Sequence, residues 1–236
     1  VAASPVGRAP LDDRTSQAHS CETHYYRADY DRSLCTQEDV AVSSNPLPAE
    51  PEHQREVLGP LVRVMEEAAS DEPWALIGAG SCWLQGVDAA SPNLELMTTE
   101  PALRTLAEML DVDALWQRSS QLAAERLHFM RDGVAIFIFA NPTFHGNYDA
   151  LTPLKIPSLW DARTRIEVGS ATVLATPLEW ELLLAVVLGT DERVEALETT
   201  LRDRSADGRL MTRLLREGRV EPATEEAVWS HVERTG

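Results

Sequence analysis

WALIGAGSCWLQGVDAASPNLELM, residues 74 to 97, decides the reading of the fold. Trp74 to Ile77 is a short apolar run with the form of a strand. Gly78-Ala79-Gly80-Ser81 is a tight turn of small residues, Cys82 to Gln85 a short helical turn, and Gly86 its end. After a polar loop, Leu94-Glu95-Leu96-Met97 has the form of a second strand with Asn93 at its mouth. Strand, small-residue turn, helix start and acidic strand together bring backbone N–H groups beside a carboxylate, which suits a phosphate and its metal ion. Small residues at a strand-to-helix junction also answer a simpler need, close packing.

Upstream, Val57, Leu58, Leu61, Val62, Met65 and Ala69 recur at helical spacing, so an amphipathic helix is expected over roughly 52 to 70. Downstream, Glu100-Pro101 opens a helix with Leu103, Leu106, Met109 and Leu110 on one face. Leu122 to Arg131 and Val134 to Ala140 flank Asp132-Gly133, a strong hairpin signal. Residues 141 to 163 carry Pro142, Pro153 and Pro157 and are expected to be mainly loop. Arg165 to Val168 and Thr172 to Ala175 predict a second hairpin around Gly169-Ser170. Thr176-Pro177-Leu178-Glu179 has the spacing of a capping box, with Thr176 as the cap, and Gly189 ends that helix. Helices near 191 to 203, 207 to 217 and 222 to 234 follow. The expected class is α+β: a mixed sheet with flanking helices and a helical C-terminal region from about 177.

Residues 1 to about 50 are poor in aliphatic side chains and rich in Ser, Asp, Pro and Arg, so they are expected to form a disordered arm ahead of one domain at 51 to 236. His24-Tyr25-Tyr26 and Tyr30 are the arm's aromatic cluster, available for docking on a protein partner or idle. His19, Cys21, His24 and Cys35 lie close in sequence, yet their spacing matches no paired zinc pattern, and an incidental grouping is the expected reading.

Composition limits the partners. A formal net charge of -17 argues against general nucleic-acid binding, which needs a basic face. Lys155 is the one lysine beside 20 arginines, a bias that fits either GC-rich coding or adaptation to high salt. No window approaches the roughly 18 consecutive apolar residues that span a bilayer, and Val1 to Pro10 has no apolar signal region. A cytoplasmic location is therefore expected, and three cysteines suit a reduced compartment. Cys82 reads as a small buried apolar residue or, just inside a helix start, as a thiol of lowered pKa.

The 74 to 97 stretch resembles the nucleotidyltransferase superfamily, whose signature is a Gly-Ser turn followed by an Asp-x-Asp strand. Val173-Leu174-Ala175-Thr176-Pro177-Leu178-Glu179 before a long helix is similar to the corresponding segment of the abortive-infection toxin-like nucleotidyltransferases. The resemblance covers roughly 52 to 217 as an order of elements. It implies an NTP held by Gly78, Gly80 and Ser81, with Mg²⁺ on Glu95 aided by Asn93. The sequence departs from the pattern in three places. The Asp-x-Asp position holds Asn93-Leu94-Glu95, the strand Val134 to Phe139 offers none of the third carboxylate that the resemblance implies on a later strand, and the lysine that the resembled group carries on the long helix falls near Ala185. Side chains two apart share a strand face, so Asn93 and Glu95 point the same way, but a neutral amide is a poor ligand for a hard cation. Two readings follow: a divergent transferase moving a nucleoside monophosphate from an NTP to a small molecule, protein or RNA, or an inactive relative acting as nucleotide sensor or protein-interaction module.

Overall fold

A computed structural model describes residues 51–89 and 93–233. The expected arm, with its Cys/His group and tyrosine cluster, lies outside the described residues. The described residues begin with helix α1 (Pro51–Ala68), whose Val57, Leu58, Leu61, Val62 and Met65 are buried, as the helical spacing predicts. Strand β1 (Ala75–Ile77) runs directly into helix α2 (Gly78–Leu84), and β2 (Asn93–Thr98) returns antiparallel beside β1. Helix α3 (Glu100–Leu110) follows, with the Thr99 hydroxyl accepting from the Ala102 N–H at its start.

Strands β3 (Leu115–Arg118), β4 (Leu122–Arg131) and β5 (Val134–His145) form an antiparallel meander, and β5 joins β2 in parallel. The hairpin expected at Asp132-Gly133 is present, with both residues at positive φ. Strand β6 (Ala150–Leu151) pairs with β5, and the hairpin β7 (Thr164–Val168)–β8 (Ala171–Ala175) attaches to the other side of β1. The sheet order is β3-β4-β5-β2-β1-β8-β7, with β6 beside β5. It is mixed, as expected.

Period-two alternation divides the strand residues between two cores. Leu76, Leu94, Leu96, Leu127, Ile136, Ile138 and Val173 face one side, where α1 and α3 cover them. Ala75, Ile77, Met97 and Phe139 face the other. There they meet the C-terminal helices α5 (Leu178–Leu188), α6 (Asp191–Arg204), α7 (Gly208–Gly218) and α8 (Pro222–Glu233). Gly146 marks how closely this layer approaches the sheet, since a Cβ there would sit 2.2 Å from the Val187 carbonyl oxygen.

Three expectations need correction. Strand β5 continues past Ala140 through Pro142, because Asn141 and Pro142 fall where the β4–β5 register shifts and Asn141 takes φ 46°. A bulge tolerates a proline that a regular ladder rejects. The segment expected to be loop also contains a short helix, α4 (Pro157–Asp161), whose Ser158 N–H and hydroxyl both donate to the Glu217 carboxylate. Thr176 does not cap α5: Pro177 takes that position, and the Glu179 carboxylate accepts from the Asp207 N–H instead. The Thr176 side chain turns inward, into the site described next.

Candidate functional site

Gly78 is where β1 becomes α2, and it is the point on which the site converges. Its φ of +68° is a left-handed conformation that side-chain-bearing residues rarely adopt. The Glu95 carboxylate packs directly over it: a Cβ on Gly78 would stand 2.7 Å from Glu95 Oε2. The expected turn is in fact the first turn of α2, so the residue that meets Glu95 is Gly78 rather than Ser81.

Gly80 and Ser81 face the interior. Gly80 packs against the side chains of Leu76 and Leu94, and Ser81 is fully buried. Ser81 Oγ donates to the Thr176 carbonyl at 3.0 Å and lies 3.1 Å from both Thr176 Oγ1 and Gln85 Nε2. Gln85 Nε2 also donates to the Thr176 carbonyl at 2.8 Å. These groups tie α2 to the β8–α5 junction, and satisfied buried polar groups of this kind fix one arrangement of the elements around them.

Beneath Gly78 lies a residue that sequence reading did not single out. Glu181, on α5, is fully buried, and its Oε1 accepts the Gly78 N–H at 3.0 Å and the Thr176 hydroxyl. Its Oε2 has no hydrogen-bond partner among the described residues. The Glu181 carboxyl is raised to about 7: burial pushes it up most, Arg193, the Thr176 hydroxyl and the Gly78 N–H pull it partly back, and nearby Glu95 adds a smaller upward push. Arg193, reaching in from α6, places Nη1 3.9 Å from the same point over Gly78 that Glu95 Oε2 crowds. The only signal for Glu181 in sequence is one acidic residue on the buried side of LEWELLLAVVL, a run otherwise almost wholly apolar.

The strand register fixes what stands beside Glu95. Its partner on β1 is Ile77 and on β5 is Phe137, while Asn93 pairs with Ala135. Phe137 stacks on His128 of β4, with ring centroids 4.5 Å apart, and Arg126 lies over the same phenylalanine ring. Partial burial and the Arg126 charge both lower the His128 pKa. Other acidic residues of this part of the chain stand away from Glu95. Glu125 follows the alternation onto the opposite face from Arg126 and His128, Asp132 sits at the hairpin tip, and Asp88 is exposed in the loop after α2. Among the described residues no group of three or more His, Cys, Asp or Glu is placed to hold a metal ion.

Cys82 is fully buried, and burial drives its thiol pKa well up, so the packing role applies and the activated-thiol reading does not. A recess of about 280 Å³, lined in part by Asp191, Glu195, Glu198 and His231, includes neither Asn93 nor Glu95. No helix among the described residues is long and apolar enough to cross a membrane.

No protein-family model matches the chain, and no curated protein matches it. Among solved structures it is similar to a crystal structure of a candidate nucleotidyltransferase from Thermotoga maritima, at 17% identity and a TM-score of 0.47, covering 63% of this chain and 94% of that one. It is also similar to the solution structure of the antibiotic-resistance factor ANT(2'')-Ia, at 9% identity and a TM-score of 0.42, covering 76% of this chain and 92% of that one.

Proposed function

We propose that this protein is a nucleotidyltransferase-like domain that has lost metal-dependent transfer and acts by binding. The observation that carries this reading is Phe137 beside Glu95, where the third carboxylate of a transferase is expected. Two-metal phosphoryl chemistry needs several anionic oxygens to hold the cations that bridge nucleophile and leaving group. Here Asn93 brings a neutral amide, Phe137 a hydrocarbon ring, and Glu95 alone a charge. The residues present do not fit a Mg²⁺ pair.

The elements expected to hold triphosphate are also turned to internal use. Ser81 Oγ is buried among Thr176 and Gln85, and the Gly78 N–H donates to Glu181. Within the superfamily the layout most resembles the abortive-infection toxin-like group, with Ala185, a buried residue, near the lysine position. The bound species is then a nucleotide held without metal, or a partner protein on the open end of the sheet, where Leu115 (59% exposed) and Met130 (54% exposed) flank Arg126 and His128.

A transferase reading draws on a different observation: Glu181 supplies a second carboxyl near Glu95, from an element outside the sheet. Titration calorimetry of the full chain with ATP, GTP, CTP and UTP, with Mg²⁺ or with EDTA, separates these readings. Binding that survives EDTA supports a nucleotide sensor, and no binding at millimolar NTP supports the protein-interaction module. Binding abolished by EDTA contradicts the proposal and favours the transferase.

A further inference from the structure

Three charged side chains from three separate elements meet at one glycine. Glu95 comes from β2, Glu181 from α5 and Arg193 from α6: the Gly78 N–H donates to Glu181 Oε1, and the position a Gly78 Cβ would take lies 2.7 Å from Glu95 Oε2 and 3.9 Å from Arg193 Nη1. Glu181 is completely buried with one carboxylate oxygen unpartnered among the described residues. Two carboxyls this close in a low-dielectric setting disfavour each other's ionisation, and each affects the packing of the other unless a cation stands with them. Arg193 is the cation that the fold brings there, and its charge offsets part of the burial penalty on Glu181.

We propose that Arg193 is the resident cation of this site, its guanidinium standing with Glu95 and Glu181 where a metal-dependent enzyme would hold a divalent ion, and closing the site to metal. Arg193 is a positioning residue: it holds Glu95 over Gly78 and stabilises Glu181 beneath it. A planar guanidinium is suited to this, because it stays charged and offers several donors to carboxylate oxygens at once. The placement also accounts for a β2 strand that keeps Glu95 while Asn93 and Phe137 have replaced the other expected anions. With one cation covalently built in, additional carboxylates bring only repulsion. The inference concerns Glu95 and Glu181 as a pair and holds whether or not the protein binds a nucleotide.

Removing the guanidinium should convert the carboxyl pair into a weak divalent-ion site. The experiment follows thermal unfolding of the full-length wild type, Arg193→Ala, Arg193→Gln and Arg193→Gln/Glu95→Gln, each in EDTA and in millimolar manganese(II). Free and bound manganese are measured in parallel by electron paramagnetic resonance. In EDTA both single variants should melt below the wild type. Manganese should raise the melting temperature of either single variant by several degrees, leave the wild type unmoved, and leave the double variant unmoved because Glu95 no longer carries charge. Manganese affinity should be at least about tenfold higher in Arg193→Gln than in the wild type, a difference of about 1.4 kcal/mol. Arg193→Gln retains much of the side-chain stem, so it keeps the test usable should the alanine variant not fold. Equal manganese binding by wild type and Arg193→Gln overturns the proposal, as does an Arg193→Gln protein that folds and gains no manganese binding.

Discussion

Ser81 offers a direct way to separate a packing role from a phosphate-binding one. Its hydroxyl joins Thr176 and Gln85 in the interior. Ser81→Ala should therefore cost about 1–3 kcal/mol of stability, the range for leaving buried partners unsatisfied, while any NTP affinity is unchanged. Denaturant titration and calorimetry on the same preparation check both halves. Glu181 contributes a pH dependence to stability. Its folded-state pKa of about 7 lies above the ordinary 4.5, so the folded protein holds this proton more tightly than the unfolded chain. The resulting contribution is fully present below about pH 4.5 and is lost as pH rises through about 7, with a span on the order of 3 kcal/mol. Glu181→Gln keeps the shape and removes the titration. Its stability should change less than that of the wild type between about pH 5 and 8, and an unaltered wild-type slope would show that another group is responsible. Sequence exposed Glu95 through its strand motif, but not Glu181: a charge in an apolar helix becomes informative only once the fold shows what it faces.

The elements were legible where their ends carry local chemistry. Gly189 stops α5 at φ 69°, and the Asp207 carboxylate accepts from the Arg209 and Leu210 N–H groups at the start of α7, so both boundaries could be read from residue type. Strand β3 was not legible, because Leu115, Trp116 and Arg118 are all exposed and an edge strand of that kind has no alternation to detect. Pro142 misled for the opposite reason: a bulge shelters it from the ladder rule. The contact between the β5–β6 turn and α5 gives a prediction at this scale. Gly146→Ala drives a Cβ into the Val187 carbonyl at 2.2 Å, and backbone stands on both sides, so neither can rotate away. The two elements must separate, and a loss at the upper end of the roughly 1–3 kcal/mol typical of overpacking is expected, read as a lower melting temperature. Gly133→Ala is a control for the glycine change itself, since nothing lies within 4 Å of its Cβ position and only the positive φ opposes it.

At the scale of the whole chain, the net charge of -17 places self-repulsion against folding. Raising sodium chloride from low to near-molar concentration should increase the melting temperature by screening it, and a decrease would show that attractive surface pairs outweigh the repulsion. The same negative field opposes an anionic nucleotide, which places the demand for a compensating cation on the site itself. In the proposed reading Arg193 is the cation there, and Asn93 and Phe137 stand where a transferase would carry acids. In the same reading this arrangement binds without transferring. The most direct measurement incubates the full-length protein with each α-labelled NTP, magnesium or manganese, and cellular RNA, protein and small-molecule fractions, alongside Glu95→Ala. If the protein binds without transferring, no label above background is expected in any fraction with either protein. Robust metal-dependent labelling by the wild type that disappears in Glu95→Ala would contradict it and identify a working transferase.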